Sequence, residues 1–147
     1  RLIASPKLKS LTALRCWASG SDSGGIDPKI LAKPSRGPML RALELECGAL
    51  STAALTAFAK CPALHGLWFL SLRASVIHDA GIRALTRSKG FRELTVLDLA
   101  NNMLTPKGVE ALANWHAPLQ ALNLIENKVG AAGAKAIITA EHLHGLK

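Results

Sequence analysis

The chain has 147 residues and a formal net charge of +8; 49% of its residues are hydrophobic but only 4% are aromatic. That is enough apolar material for a core, and its richness in Ala and Leu suits many thin, regular layers rather than one aromatic-centred globule. No apolar run approaches the roughly 18 residues of a membrane span, and no signal-peptide pattern opens the chain. The three cysteines, Cys16, Cys47 and Cys61, form no CxxC pair. Their odd number argues against a disulfide framework or a zinc site and fits a reducing, cytoplasmic setting.

Taken in chain order, the sequence repeats itself. The opening RLIASPKL aligns with the later AFAKCPAL (57–64), so the chain is expected to begin inside a repeat. Leu11, Leu14 and Cys16 then occupy an L-x-x-L-x-L frame. Residues 18–39 depart from it: SGSDSGG at 19–25 and Pro28, Pro34 and Pro38 predict an irregular repeat with a loop and at most a short helix near 28–33. The frame returns at Leu40, Leu43 and Leu45, at LWFLSL (67–72), at LTVLDLANN (94–102) and at LQALNLIEN (119–127). Leu fills fourteen of the fifteen framework positions, in a chain with 25 Leu in all. The middle Leu recurs at 14, 43, 70, 97 and 122, which gives periods of 29, 27, 27 and 25 residues.

The second half of each repeat keeps the same register. After Leu50, Ile77, Leu104 and Val129 come Ala54, Gly81, Gly108 and Gly133, then Ala57, Ala84, Ala111 and Ala136, then Phe58, Leu85, Leu112 and Ile137. Offsets of four, seven and eight mark one face of a helix, and the small residues let neighbouring helices approach. Thr105-Pro106 reads as an N-cap with a first-turn proline, and Asp79 as another cap. Asn102 and Asn127, three residues past the last framework Leu, are placed to bond buried turn backbone. Their counterparts Ser19, Gly48 and Ser75 predict looser turns toward the N-terminus.

This pattern resembles the leucine-rich-repeat superfamily, in its ribonuclease-inhibitor-like class, and GIRALT (81–86), GVEALA (108–113) and GAKAII (133–138) resemble the bacterial GALA-type repeats. The resemblance implies an α/β solenoid, a horseshoe arc of about five repeats of 25–29 residues with parallel strands on the concave face and helices on the convex face. It covers nearly the whole of 1–147 as a single domain. With no capping segment visible at either end, the chain is expected to be an internal piece of a longer protein, and its open Leu layers predict self-association.

Chemistry-bearing patterns are weak. GSDSGG (20–25) is similar to the nucleophile segment of trypsin-like proteases, but no double barrel or buried His–Asp pair accompanies it. His65, His78, His116, His142 and His144 lack zinc-site spacing, even with Glu141 beside the last two. No phosphate-cradling glycine loop follows a strand. Neither a metal, a cofactor nor a catalytic residue is therefore expected. Arg83, Arg87, Lys89 and Arg92 form a basic cluster on a helix and its exit turn, read as a solvated rim. Residues 1–41 carry eight Lys or Arg against Asp22 and Asp27, whereas the remainder carries ten against eight. The cluster has no interleaved aromatics to stack bases, and the basic N-terminal end is read as a solvated surface, with a nucleic-acid-binding surface there as the lesser alternative.

The repeat places fifteen side chains on the concave strand face. Those expected to bind a protein partner are Arg15, Trp17, Glu44, Glu46, Phe69, Ser71, Arg73, Asp98, Asn123 and Ile125, with Trp17, Phe69, Arg15 and Arg73 as anchors, because aromatic and Arg residues dominate interface energetics. Trp68 and Trp115 are expected to serve packing. The predicted function is a non-catalytic protein-interaction module. The alternative by analogy is the recognition segment of a larger bacterial effector or regulator that recruits ubiquitin ligases or activates a GTPase.

Overall fold

The computed structural model of the chain describes residues 11–17, 40–46 and 48–146. The irregular segment expected at 18–39 and the repeat end expected at 1–10 lie outside the described residues.

The described residues form one five-stranded parallel sheet in the order β1-β2-β3-β4-β5. Its strands are β1 (Ala13–Trp17), β2 (Ala42–Glu46), β3 (Phe69–Ser71), β4 (Val96–Asp98) and β5 (Ala121–Asn123). Parallel neighbours cannot be joined by a hairpin, so each needs a crossover. The three crossovers between β2 and β5 and the segment after β5 supply the helices α1 (Thr52–Lys60), α2 (Asp79–Thr86), α3 (Pro106–Ala113) and α4 (Gly130–Thr139). Successive helices pack side by side on the outer face of the sheet.

Strand register is set by the leucines. Leu14, Leu43, Leu70, Leu97 and Leu122 are direct cross-strand partners in sequence. A slip of one residue would turn every framework leucine outward. Leu40, Leu43, Leu45, Leu67, Leu70, Leu72, Leu94, Leu97 and Leu99 are buried. The flanking layers are half-buried: Leu11, Leu14 and Cys16 on one side, Leu122 and Leu124 on the other. A repeat buries its leucines only against its neighbours, so burial is complete only in the middle.

The small residues of the helical half act as expected. A Cβ at Gly81 would lie 2.6 Å from Leu55 Cδ1, and one at Gly108 would strike the Asp79 carboxylate. The helices begin on distinct caps. Ser51 accepts the Ala54 N–H (3.1 Å), and Thr105, followed by Pro106, accepts the Lys107 N–H (3.4 Å). The expectation for Asp79 is corrected. His78 holds the cap position of α2, and Asp79 is that helix's first residue. Its carboxylate reaches forward to the next repeat, accepting from the Thr105 N–H (2.9 Å) and the Thr105 hydroxyl (2.6 Å). The two helix starts lie side by side, and Gly108 leaves the room for this. Burial pushes the Asp79 carboxyl up, but the Thr105 and Gly108 bonds and nearby Arg83 outweigh it and hold it below the ordinary 3.8.

Buried turn backbone is satisfied mainly by Asn102, itself 6% exposed. Its Oδ1 accepts from Ser75 N–H (3.2 Å) and Ile77 N–H (2.8 Å), while Nδ2 donates to the carbonyls of Leu72 (2.9 Å), Leu99 (2.9 Å) and Ala100 (3.2 Å). Asn127 repeats this one layer on, accepting from Leu104 N–H (3.0 Å) and donating to Leu99 O (2.9 Å). The Ser75 turn is tighter than its sequence suggests. Its hydroxyl donates to Leu45 O (3.4 Å) and Arg73 O (3.0 Å), and its own carbonyl takes the Leu50 N–H (2.9 Å) that an Asn would have reached. Ala74, Asn101 and Glu126 occupy one repeat position and all have positive φ, at 49°, 55° and 58°.

Two outcomes are expected. Asn102→Ala strands two buried N–H groups and three carbonyl contacts, so urea unfolding should register a loss of about 3 kcal/mol, against roughly 1 kcal/mol for half-exposed Asn127→Ala. Asp79 has a depressed folded-state pKa, so its contribution is whole above the unfolded value and fades as pH falls through the folded one. The stability gap between the parent and Asp79→Asn should therefore be constant above about pH 5 and close as the solution is taken below 3.8.

Candidate functional site

The inner sheet face is built of rows that run across the strands. The first row is Ala13, Ala42, Phe69, Val96 and Ala121. It is apolar throughout, with Phe69, Val96 and Ala121 half-buried. The second row is Arg15, Glu44, Ser71, Asp98 and Asn123. Beyond the short strands, Trp17 and Glu46 are followed by Arg73, Ala100 and Ile125 at the matching repeat position. Phe69, Val96, Asp98, Ala121, Asn123 and Ile125 line a shallow concavity of about 460 Å³.

Most of the polar second row is already engaged. Arg15 pairs with Glu44 across the strands at 2.9 Å. Ser71 is only 3% exposed and offers a partner almost no surface. Among the described side chains of the expected contact set it is the buried one. Asp98 Oδ1 accepts the Ala100 N–H (2.9 Å) and Asn123 Oδ1 the Ile125 N–H (3.1 Å), so both close the turn leaving their own strand. Besides Ala13 and the paired Arg15, the exposed groups are Glu46, Arg73 and Ile125, the last 66% exposed. Trp17 is placed in β1 opposite Glu46 by its backbone; its side chain lies outside the described residues.

The tryptophans divide. Trp115 is buried and meets Phe91 edge-on, with centroids 5.9 Å apart, so it packs as expected. Trp68, expected to pack at the layer edge, is instead 43% exposed, with its ring 5.7 Å from Phe69 at 58°. Trp68 stands one residue before β3, outside the L-x-L alternation that fixes in or out. Its main chain is held by Arg41 O on one side and Thr95 N–H on the other. The pair Trp68–Phe69 thus wraps from the strand-start edge onto the inner face.

Elsewhere the reactive side chains serve structure. Burial pushes the Cys61 thiol up, against backbone hydrogen bonds at Ala63 and Leu64 that lower it. His142 stacks on His116 at 4.8 Å; each donates to a backbone carbonyl, of Trp115 (3.1 Å) and Asn114 (3.2 Å) respectively. Among the described residues no three His, Cys, Asp or Glu could hold a metal ion, and no helix is long and apolar enough to cross a membrane.

Repeating strand–turn–helix units, one leucine column and an Asn-bridged turn define a leucine-rich-repeat solenoid. A family model described as Leucine Rich repeat matches residues 92–113 and 116–137, the two copies in which Asn holds the turn. Such repeats are commonly protein-interaction modules. No curated protein matches the chain.

The two tryptophans should separate on truncation. Trp115→Ala removes a ring from the core and should lower stability by roughly 3–5 kcal/mol. Trp68→Ala should cost under about 1 kcal/mol while removing a fluorescence component readily quenched by acrylamide.

Proposed function

We propose that the chain is a non-catalytic module that binds a protein partner on its inner sheet face, with Phe69 as the apolar anchor and Arg15, Trp17, Glu44, Glu46, Arg73, Asp98, Asn123 and Ile125 around it. The observation that carries this reading is the apolar row through Phe69, Val96 and Ala121, bordered by the strongly exposed Ile125. Framework leucines already fill the core, so a Phe on this face has no structural duty to perform. An aromatic flanked by charge is the composition of an interface centre.

Trp68 joins the anchor set because its ring is exposed beside Phe69. Asp98, Asn123 and the Arg15–Glu44 pair act here as a pre-ordered polar border, since their geometry is set by the fold before a partner arrives. Pre-ordering lowers the cost of binding. Within the leucine-rich repeats, the ribonuclease-inhibitor-like class and closeness to GALA-type repeats are supported by a helix of eight to ten residues after each of β2 to β5. A cytoplasmic setting is supported by the buried Cys61 thiol.

The test is capture from the source lysate with the parent chain, with Phe69→Ala/Arg73→Ala, and with Lys107→Ala/Glu110→Ala on the outer helix face. The expected outcome is a partner retained by the parent and the helix variant, and released by the inner-face variant with its unfolding midpoint unchanged. Equal capture by all three would place binding elsewhere on the molecule.

A further inference from the structure

A second surface lies on the edge where the helices end and the strands begin. A groove of about 590 Å³ opens between the ends of α1 and α2 and the segments leading to β3 and β4. His65 lies against Gly90 so closely that any side chain there would overlap the imidazole, and the two form part of the groove lining. Lys60, Lys89 and Arg92 also line it and are all exposed. The groove has one carboxylate, Glu93, and Arg41 already holds it at 2.7 Å. Among the described residues none of the three groove cations takes part in an ion pair.

Basic residues at helix ends ordinarily answer the terminal carbonyls. Here other groups do much of that. Cys61 N–H donates to Phe58 O (3.0 Å), the Ser88 hydroxyl to Ala59 O (2.6 Å) and Ser88 N–H to Leu85 O (3.0 Å). Arg92 Nε donates to Lys89 O (3.1 Å), which fixes the guanidinium and leaves its outer nitrogens to face solvent. Three cations without ion-pair partners, around a concavity whose one carboxylate is held by Arg41, focus a positive field at a fixed place. The exposed Trp68 lies outside the groove lining and is tied to its wall through Arg41. Glu93 lines the groove, and Glu93's partner Arg41 is the residue whose carbonyl receives the Trp68 N–H (2.9 Å).

We infer that this groove docks an acidic peptide segment of a partner protein, with carboxylates set against Lys60, Lys89 and Arg92 and an apolar side chain laid on Trp68. Carboxylates suit the site because a fixed guanidinium fork binds them in two places at once. A compact phosphate suits it less, since the Gly90 N–H that would turn toward one is committed to Ser88 Oγ (3.0 Å). Nucleic acid suits it less again, because one indole is no stacking platform for successive bases. The cationic groove shares no lining residue with the inner-face concavity, Trp68 standing at the edge between them, and it stands whether or not that face binds.

The experiment is a fluorescence-anisotropy titration with a labelled Glu-Glu-Leu-Glu-Glu-Leu peptide at low salt. It compares the parent, Lys60→Gln/Lys89→Gln in the groove, and Lys128→Gln/Lys135→Gln, an equal charge change outside the groove. None of these four side chains makes a hydrogen bond or ion pair among the described residues, so all three proteins should fold alike. The groove variant should bind at least about fivefold more weakly than the parent, and the distant variant within about twofold of it. Equal weakening of both variants would reduce the effect to net charge and overturn the inference, as would no binding by the parent. A single-stranded oligonucleotide of equal charge, bound more tightly than the peptide and weakened by the same groove substitutions, would overturn it in favour of nucleic acid.

Discussion

The structure depends on satisfying the turn between each strand and its helix. That turn is enclosed by the layers on either side, so its N–H and carbonyl groups cannot turn to water. A single carboxamide solves the problem because it both accepts and donates. Asn102 takes two N–H groups of the preceding repeat and gives to carbonyls in that repeat and in its own. The bond therefore runs between repeats as well as within one, and it helps to fix the spacing at which the leucine layers stack. Where the sequence has Ser75 instead, the shorter side chain reaches Leu45 O, and main chain replaces the missing contact to Leu50. The layer stays closed, but Ser75 supplies two side-chain bonds where Asn102 supplies five.

The same economy shapes the outer layer. Successive helices sit close because Gly81, Gly108 and Gly133 occupy the contact, and at Gly108 the space is used by a carboxylate from the previous helix. Asp79 thus does for helix starts what Asn102 does for turns: one polar side chain crosses to a neighbouring repeat and satisfies groups there. Cooperativity along a stack of repeats comes from such crossings together with buried apolar area between layers. It is strongest through the third and fourth repeats, where both crossings occur and the leucines are fully buried.

Much of this was legible because it obeys a period. The leucine spacing gave strands in the right register, the Ala and Gly offsets gave helices on one face, and the Asn positions gave the closed turns. What the sequence concealed are features without a period. Asp79 looks like a cap for its own helix, and only the side-by-side placement of α2 and α3 turns it toward Thr105. Trp68 sits one residue before the alternation begins, where nothing in the pattern dictates its direction, and it turns out to solvent. On the inner sheet face the alternation gives the positions but not which polar side chains the fold already engages. Ser71 is enclosed, and Asp98 and Asn123 are bound to their own turns, because a polar side chain at a strand end finds backbone N–H groups within reach before it finds a partner.

This division bears on where recognition resides. Positions that recur in every repeat are bound by the architecture, even when they lie on the surface. Positions that do not recur are free to differ, and they are where this chain departs from the generic repeat: Phe69 where other strands have Ala or Val, Trp68 where they have Arg, Thr or Gln, and Lys89 and Arg92 before β4. These four lie within two successive repeats, 3 and 4, and β3 and β4 are hydrogen-bonded neighbours. They fall in the part of the solenoid with the most complete burial and the most cross-repeat bonds. A binding surface gains from that placement, because contact groups carried on a stiff backing lose little further freedom when a partner arrives. The irregular residues are thus concentrated where the regular ones are held most firmly.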